Sequence, residues 1–324
     1  MSEFLILSLS TLDSTIRIAT PLILCAMAGI FSERSGIIDI GLEGKMLAAA
    51  FAAGSIAALS GSPWLGLIAA IGISMLASAT HGFACITHKG DQVISGLAIN
   101  ILASGLTVTL GIALYARGGQ TPQLTKEQRF MPIDFPFADS ISQIPFIGYL
   151  YSDIIGGHNL LVYLAFLSVP FTYWIIFKTR FGLRLRAVGE KPMAVDTAGI
   201  SVVWLRYRAV LFAGLLCGIA GAYLAIAHGG GFGREMTAGR GYIALAAMIF
   251  GKWKPINTLF ACLLFGFLEA LSDRLQGVPI AGIGEIPVQL MQALPYLLTV
   301  ILLAGVIGKA VAPAAIGQPY IKER

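Results

Sequence analysis

The sequence predicts an all-α integral membrane protein, a polytopic helix bundle of about 8–10 spans with broken or re-entrant segments. Three observations lead there. Of 324 residues, 56% are hydrophobic and 12% charged, against about a quarter charged in an average soluble domain. Mean hydropathy is +0.80, and apolar runs of about 20 residues, the length of one crossing, recur along the chain. Lys and Arg collect at the ends of these runs, so the net charge of +5 reflects membrane orientation and argues against nucleic-acid binding.

In chain order the spans fall at 14–31, 41–60, 63–87, 91–116, 158–177, 207–227, 241–251, 256–275 and 287–308, one membrane domain over 1–324. The N-terminus lacks the charged stretch and cleavage site of a secretory signal, so the first run is expected to stay. Two spans are irregular. Tyr242 to Phe250 is too short to cross alone, and 36–60 opens with Asp39, Glu43 and Lys45, so both read as broken segments whose backbone lines a cavity. Gly36-Ile-Ile-Asp-Ile and Gly241-Tyr-Ile-Ala-Leu, each opening one of them, are the trace that a two-fold repeat would leave. Gly214 and Gly218 form a GxxxG with Gly221 a turn on, which fits close helix packing.

The longest polar interruption is 178–208. It carries Lys178, Arg180, Arg184, Arg186, Lys191, Arg206 and Arg208 against Glu190 and Asp196, and it reads as cytoplasmic. On that basis 15 Lys and Arg lie inside and six outside, with Arg17 in the first span; the N-terminus is then outside and the C-terminus inside. Between Glu190 and Ile200, Pro192 suits a first helical turn and Gly199 the residue past the end, which predicts a two-turn helix. Ala194 and Ala198 share one face of it, a small-residue surface open to another protein's groove. Orientation in the membrane is the other use of such a loop. The longest external segment, 118–158, holds four prolines and reads as an ordered cap or a partial re-entry.

Chemistry is sparse. Gly41-Leu-Glu-Gly-Lys45 and Gly305-Val-Ile-Gly-Lys309 lack the spacing and the hydroxyl of a phosphate loop, so any ATP and magnesium belong to a partner and this chain carries no cofactor. Cys25, Cys85, Cys217 and Cys262 are isolated packing residues, and His81, His88, His158 and His228 sit at span ends, so neither disulfides, a metal site nor a membrane enzyme is indicated. Polar groups at bilayer depth are costly and tend to face a cavity or a partner. They are Asp39, Glu43, Asn100, Glu269, Gln289 and Gln292, a path for a neutral hydroxylated solute. Taken singly, Glu269 would snorkel or pair with Arg274, Asn100 would glue helices, and Arg17 could partner one of the acids.

Four ordered motifs now carry a resemblance: Glu33-Arg-Ser-Gly-Ile-Ile-Asp-Ile-Gly-Leu-Glu-Gly44, Asp91-Gln-Val-Ile-Ser-Gly-Leu-Ala-Ile-Asn100, Gly182 to Pro192 followed by Ala198-Gly-Ile200, and Gly241 to Pro255. The chain resembles the permease subunits of bacterial ABC importers, in the branch for nucleosides and simple sugars, related to branched-chain amino acid and ribose permeases. The resemblance implies an inner-membrane permease whose partners, besides membrane lipid, are a cytoplasmic ATPase, a second permease subunit (paralogue or second copy) and an extracytoplasmic solute-binding lipoprotein. It also implies that Gly189, Glu190, Lys191, Pro192, Ala194, Thr197, Ala198 and Gly199 form the ATPase-coupling element. Asp39 departs from the amide common at that motif position, and an acid there would add negative charge near the inner mouth. The rival reading is an ion-driven secondary transporter, which would need more buried acids near the midplane.

Overall fold

The computed structural model describes residues 3–133, 151, 154, 156–275, 279–280, 284–285, 293, 297 and 311–322. Ten helices stand in them: α1 (Glu3–Arg34), α2 (Leu42–Ser60), α3 (Pro63–Gly82), α4 (Gln92–Tyr115), α5 (Leu160–Lys178), α6 (Arg180–Glu190), α7 (Pro192–Thr197), α8 (Val202–Tyr223), α9 (Arg240–Phe250) and α10 (Pro255–Leu275). Wider π-type turns extend α3 over Phe83–Thr87 and α8 over Leu224–His228. Seven of the described helices are long and apolar enough to cross a membrane. They match seven of the nine expected spans; the eighth is the 11-residue α9, and the ninth, 287–308, lies almost wholly outside the described residues.

Local sequence explains where several helices begin. Asp91 accepts from the Ile94 N–H at 2.9 Å, Asn159 from Val162 at 3.3 Å, Thr179 from Gly182 at 3.1 Å and Ser201 from Trp204 at 3.3 Å, so α4, α5, α6 and α8 each open on a side-chain cap. The Ser201 cap starts α8 five residues before the expected 207. One expectation is corrected in the polar loop: Arg180–Glu190 is a helix of its own, α6, ahead of the short α7. Its Leu185, Val188 and Gly189 are buried while Leu183 and Arg184 are exposed, an amphipathic layout that a tally of charges hides.

Among the described helices α1 runs through the centre, with Leu22, Ile23, Leu24, Met27 and Ile30 wholly buried, and α4 lies at the edge, with Ile94, Ile101, Leu102 and Leu114 exposed. The most extensive packing is α8 on α3. It is permitted by the GxxxG: a Cβ on Gly214 would stand 2.6 Å from the Ser78 hydroxyl, and one on Gly218 2.6 Å from the Ile71 Cα. All four cysteines are buried and free, as packing residues should be. Residues 121–130 run back along 226–232 through Thr121 N–H to Phe232 carbonyl (3.1 Å), Leu124 N–H to Gly230 carbonyl (2.8 Å) and Phe130 N–H to Ile226 carbonyl (2.8 Å), so this part of the 118–158 segment is ordered against the end of α8. Most of 134–155 lies outside the described residues.

The proposed sequence repeat does not correspond in conformation. Gly36 sits in a left-handed turn (φ 88°) before an irregular stretch, whereas Gly241 lies inside α9. What the two broken segments share is a helix start, Leu42 and Arg240, within the bundle.

Gly218→Leu should cost about 1–3 kcal/mol through overpacking, read as a lower Tm of the detergent-purified protein. Gly105→Leu, where a Cβ would meet nothing within 4 Å, should leave Tm unchanged.

Candidate functional site

α9 ends at Gly251, and the Arg34 guanidinium at the end of α1 donates at 3.1 Å to the carbonyl of Trp253 just beyond it. Eleven residues rise about 16 Å, so α9 reaches only about halfway through a 30 Å hydrocarbon layer and begins at depth. Its first N–H groups meet the first turn of α2. Glu43 accepts from the Gly239 N–H at 2.8 Å and the Gly241 N–H at 2.6 Å, placing a carboxylate on the positive end of the α9 dipole. Only glycine fits at 241, because a Cβ there would stand 2.6 Å from the Glu43 nitrogen.

Asn100, two turns into α4, completes the junction. Its Oδ1 accepts from the Gly44 N–H at 2.8 Å, and its Nδ2 donates to the Ile40 carbonyl at 3.0 Å and the Tyr242 hydroxyl at 2.8 Å. Gly44 is as constrained as Gly241, since a Cβ would stand 2.6 Å from the Asn100 Cα. One amide thus ties the start of α2, the start of α9 and α4 together. Next to it Glu269 of α10 pairs with Arg240 at 2.8 Å, and Ser104 donates to Glu235. Glu269 therefore takes Arg240 and not Arg274, whose guanidinium reaches Ser10. Arg17 pairs with Asp13, one turn back on its own helix, at 3.1 Å, and serves none of the path acids.

Asp39 lies beside the junction but faces no opening. Asp39 and Lys45 are both fully buried and 2.6 Å apart, and His81 donates through Nε2 to the Ile38 carbonyl (3.0 Å) while its Nδ1 is hydrogen-bonded with the Ser95 hydroxyl (2.9 Å). The expected negative charge at the inner mouth is thereby corrected: Lys45 cancels it. Gln289 and Gln292 lie outside the described residues. Sequence reading missed Arg240, Tyr242 and Lys45; the available signal was that each polar group opening a short span needs a partner at the same depth. Among the described residues no group of His, Cys, Asp and Glu could hold a metal.

The second surface is α7. Pro192 stands in its first turn, and Gly199 follows its end at φ 76°, its N–H bonded to the Asp196 carbonyl at 2.9 Å while the Ile200 N–H reaches Val195 at 3.2 Å. Val195 is buried with Val188, Val202 and Leu205, so α7 is pinned on one side. Its other side presents Ala194, Thr197 and Ala198, with Gly199 exposed beyond them, and Lys191 is exposed at the entry. Gly189 instead faces inward against the Arg34 carbonyl, and the Glu190 carboxylate accepts from the Ala314 N–H at 3.3 Å.

Among the described residues stand seven helices long and apolar enough to cross a membrane, two helix starts buried at one junction, and a small exposed helix in a basic segment. Residues 11–304 match the family model "Branched-chain amino acid transport system / permease component". The chain belongs to this permease family. Among similar proteins, it is 42% identical over 316 residues to the guanosine ABC transporter permease protein NupQ of Bacillus subtilis, covering 95% of each chain. It is 40% identical to the nucleoside ABC transporter permease protein NupC of Lactococcus lactis (94% and 95% covered) and 33% to the putative glucose ABC transporter permease protein TsgC13 of Haloferax volcanii (96% and 97%). The permease is thus a multi-pass membrane protein and a transport component rather than an enzyme.

Asn100→Leu leaves the Gly44 N–H and the Ile40 carbonyl unpaired at a cost of about 1–3 kcal/mol. Solute uptake per inserted molecule should fall more steeply than the inserted amount, measured by transport assay beside quantitative blotting. Lys45→Met strands Asp39 as a buried lone carboxylate. The variant should lower the Tm of the detergent-purified protein, on the scale of about 3–5 kcal/mol for a buried charge left alone, and the double variant Asp39→Asn with Lys45→Met should recover much of it.

Proposed function

We propose that this permease imports nucleosides or related ribosides across the bacterial inner membrane, driven by ATP hydrolysis on a separate cytoplasmic subunit. The observation that carries the solute class is the 42% identity with the guanosine permease NupQ over 95% of both chains. ATP and magnesium are bound by the partner, which docks on α7 through Pro192, Ala194, Thr197, Ala198 and Gly199 and the adjacent Lys191. The small exposed side chains there allow a groove to close on the helix, and the buried Val195 carries the load into the bundle. A solute-binding lipoprotein delivers the nucleoside from outside, and a second permease subunit, a paralogue or a second copy, supplies the other half of the path. The charge bias orients the C-terminus and α7 to the cytoplasm and the N-terminus outward.

Within the bundle, the junction of Glu43, Asn100, Tyr242, Arg240 and Glu269 supplies hydroxyl, amide and paired charges with little net charge, which suits a neutral, polyhydroxylated solute. ATP-driven closure of the partner shifts the equilibrium between outward-open and inward-open packings, the binding energy of ATP being spent on the difference between them. An ion-driven mechanism is disfavoured by the family and by the pairing of Asp39 and Glu269 with cations, which leaves them without a free site for a coupling ion.

In proteoliposomes holding the ATPase and a nucleoside-loaded binding protein, Ala194→Arg or Gly199→Val should leave ATP hydrolysis running while [³H]guanosine uptake falls by about tenfold or more, the scale of 1.4 kcal/mol of lost coupling. Uptake equal to the unaltered chain would remove α7 from the docking role.

A further inference from the structure

Residues 311–322, after the last span, do not trail into solvent. The Ala315 N–H donates to the Gly189 carbonyl at 2.8 Å, at the end of α6, and the Gly317 N–H donates to the Gly36 carbonyl at 3.0 Å, just past α1. Ala315 is buried, and Tyr320 packs on the Val188, Val195, Val202 and Leu205 cluster that anchors α7. Lys322 lies 3.9 Å from Asp196 of α7. The segment therefore crosses the seam between the docking helices and the stretch that leads into α2.

Arg206 stands at the centre of this seam. It is 1% exposed, and its guanidinium donates to the Ser35 carbonyl at 3.2 Å and the Gln318 carbonyl at 3.1 Å, one on each side. No carboxylate pairs with it among the described residues. A buried cation held by neutral carbonyls is expensive to place, and for orientation in the membrane an exposed Lys would serve as well. Gly36 makes room for it, since a Cβ there would be 3.0 Å from both the Arg206 Nη2 and the Ala315 carbonyl oxygen. From Gly36 the chain goes on to Ile38, whose N–H donates to Gln92 at 2.7 Å, then to Asp39 with its Lys45 partner and to the start of α2 at the solute junction.

We infer that residues 313–320 are a strap that transmits movement of the docking helix to the start of α2, and that Arg206 is the positioning residue that holds strap and α1 end as one body. The inference rests on α7 being the ATPase-docking helix. A rigid link of this kind makes the starts of α2 and α9 respond together: the strap holds Gly36 through the Gly317 N–H, Arg206 holds Ser35, and Arg34, next to Ser35, grips Trp253 behind α9.

The experiment uses the complete transporter in proteoliposomes, with a cysteine at Ala194 cross-linked to the ATPase as a report on docking and nucleoside moved per ATP hydrolysed as the report on transmission. For Arg206→Gln the cross-link should form as in the unaltered chain while nucleoside per ATP falls at least about fivefold, and Arg206→Lys, which can still donate to both carbonyls, should restore most of it. A chain ending after Val311 removes the strap without touching α8, and it should show the same loss; it carries the test alone if Arg206→Gln fails to assemble. A normal cross-link with an unchanged ratio in the truncated chain overturns the strap. Absence of the cross-link in the unaltered chain overturns the docking reading, and the strap with it.

Discussion

Two helices of this permease start buried inside the bundle, and a helix start exposes N–H groups that must find partners there. The Glu43 carboxylate, bridging the Gly239 and Gly241 N–H groups, and the Asn100 side-chain oxygen, taking the Gly44 N–H, meet that demand. The rest of the interior follows from this exchange. Glycine must stand at 44 and 241 so that backbones approach within reach, and Arg240, brought to mid-depth by the short α9, requires Glu269 beside it. An irregular backbone at that depth is tolerable because protein, not lipid, surrounds it.

The inner face obeys the same economy of charge. Asp39 is matched by Lys45 and Glu33 by the Trp253 indole N–H at 2.6 Å, so the acids of the first motif are engaged in holding segments together. Permeation by a neutral solute needs no net charge at the junction, and the pairing leaves little. The Glu33–Trp253 contact ties segments 220 residues apart, whereas Asp39 and Lys45 are six apart, so a long-range tie and a locally made charge pair stand side by side here.

Much of the frame was legible from residues alone. Seven spans are legible from apolar length, α7 from Pro192 and Gly199, and a close-packing face on α8 from Gly214 and Gly218, though not the helix that fills it, because each of these depends on neighbours within a few positions. The partners were not legible. For Glu269 the sequence offers a place on the path, snorkelling, or pairing with Arg274 five residues away; in the fold it takes Arg240, 29 residues away, because packing between helices outweighs distance along the chain. Asp39 reads from sequence as an acid that adds negative charge to the path, and in the fold Lys45 lies against it at 2.6 Å. α6 was hidden by its own arginines, which lie on the solvent side of a helix whose apolar side is only a few residues wide.

The short length of α9 bears on how the protein is made. Eleven residues are too few to be retained by the insertion machinery as an independent crossing. The group that makes its buried start tolerable, Glu43, is synthesised almost two hundred residues earlier. α2 must therefore be seated in the bilayer before α9 can settle, which makes biogenesis directional: the amino-terminal half is a template, and the carboxy-terminal half is completed against it.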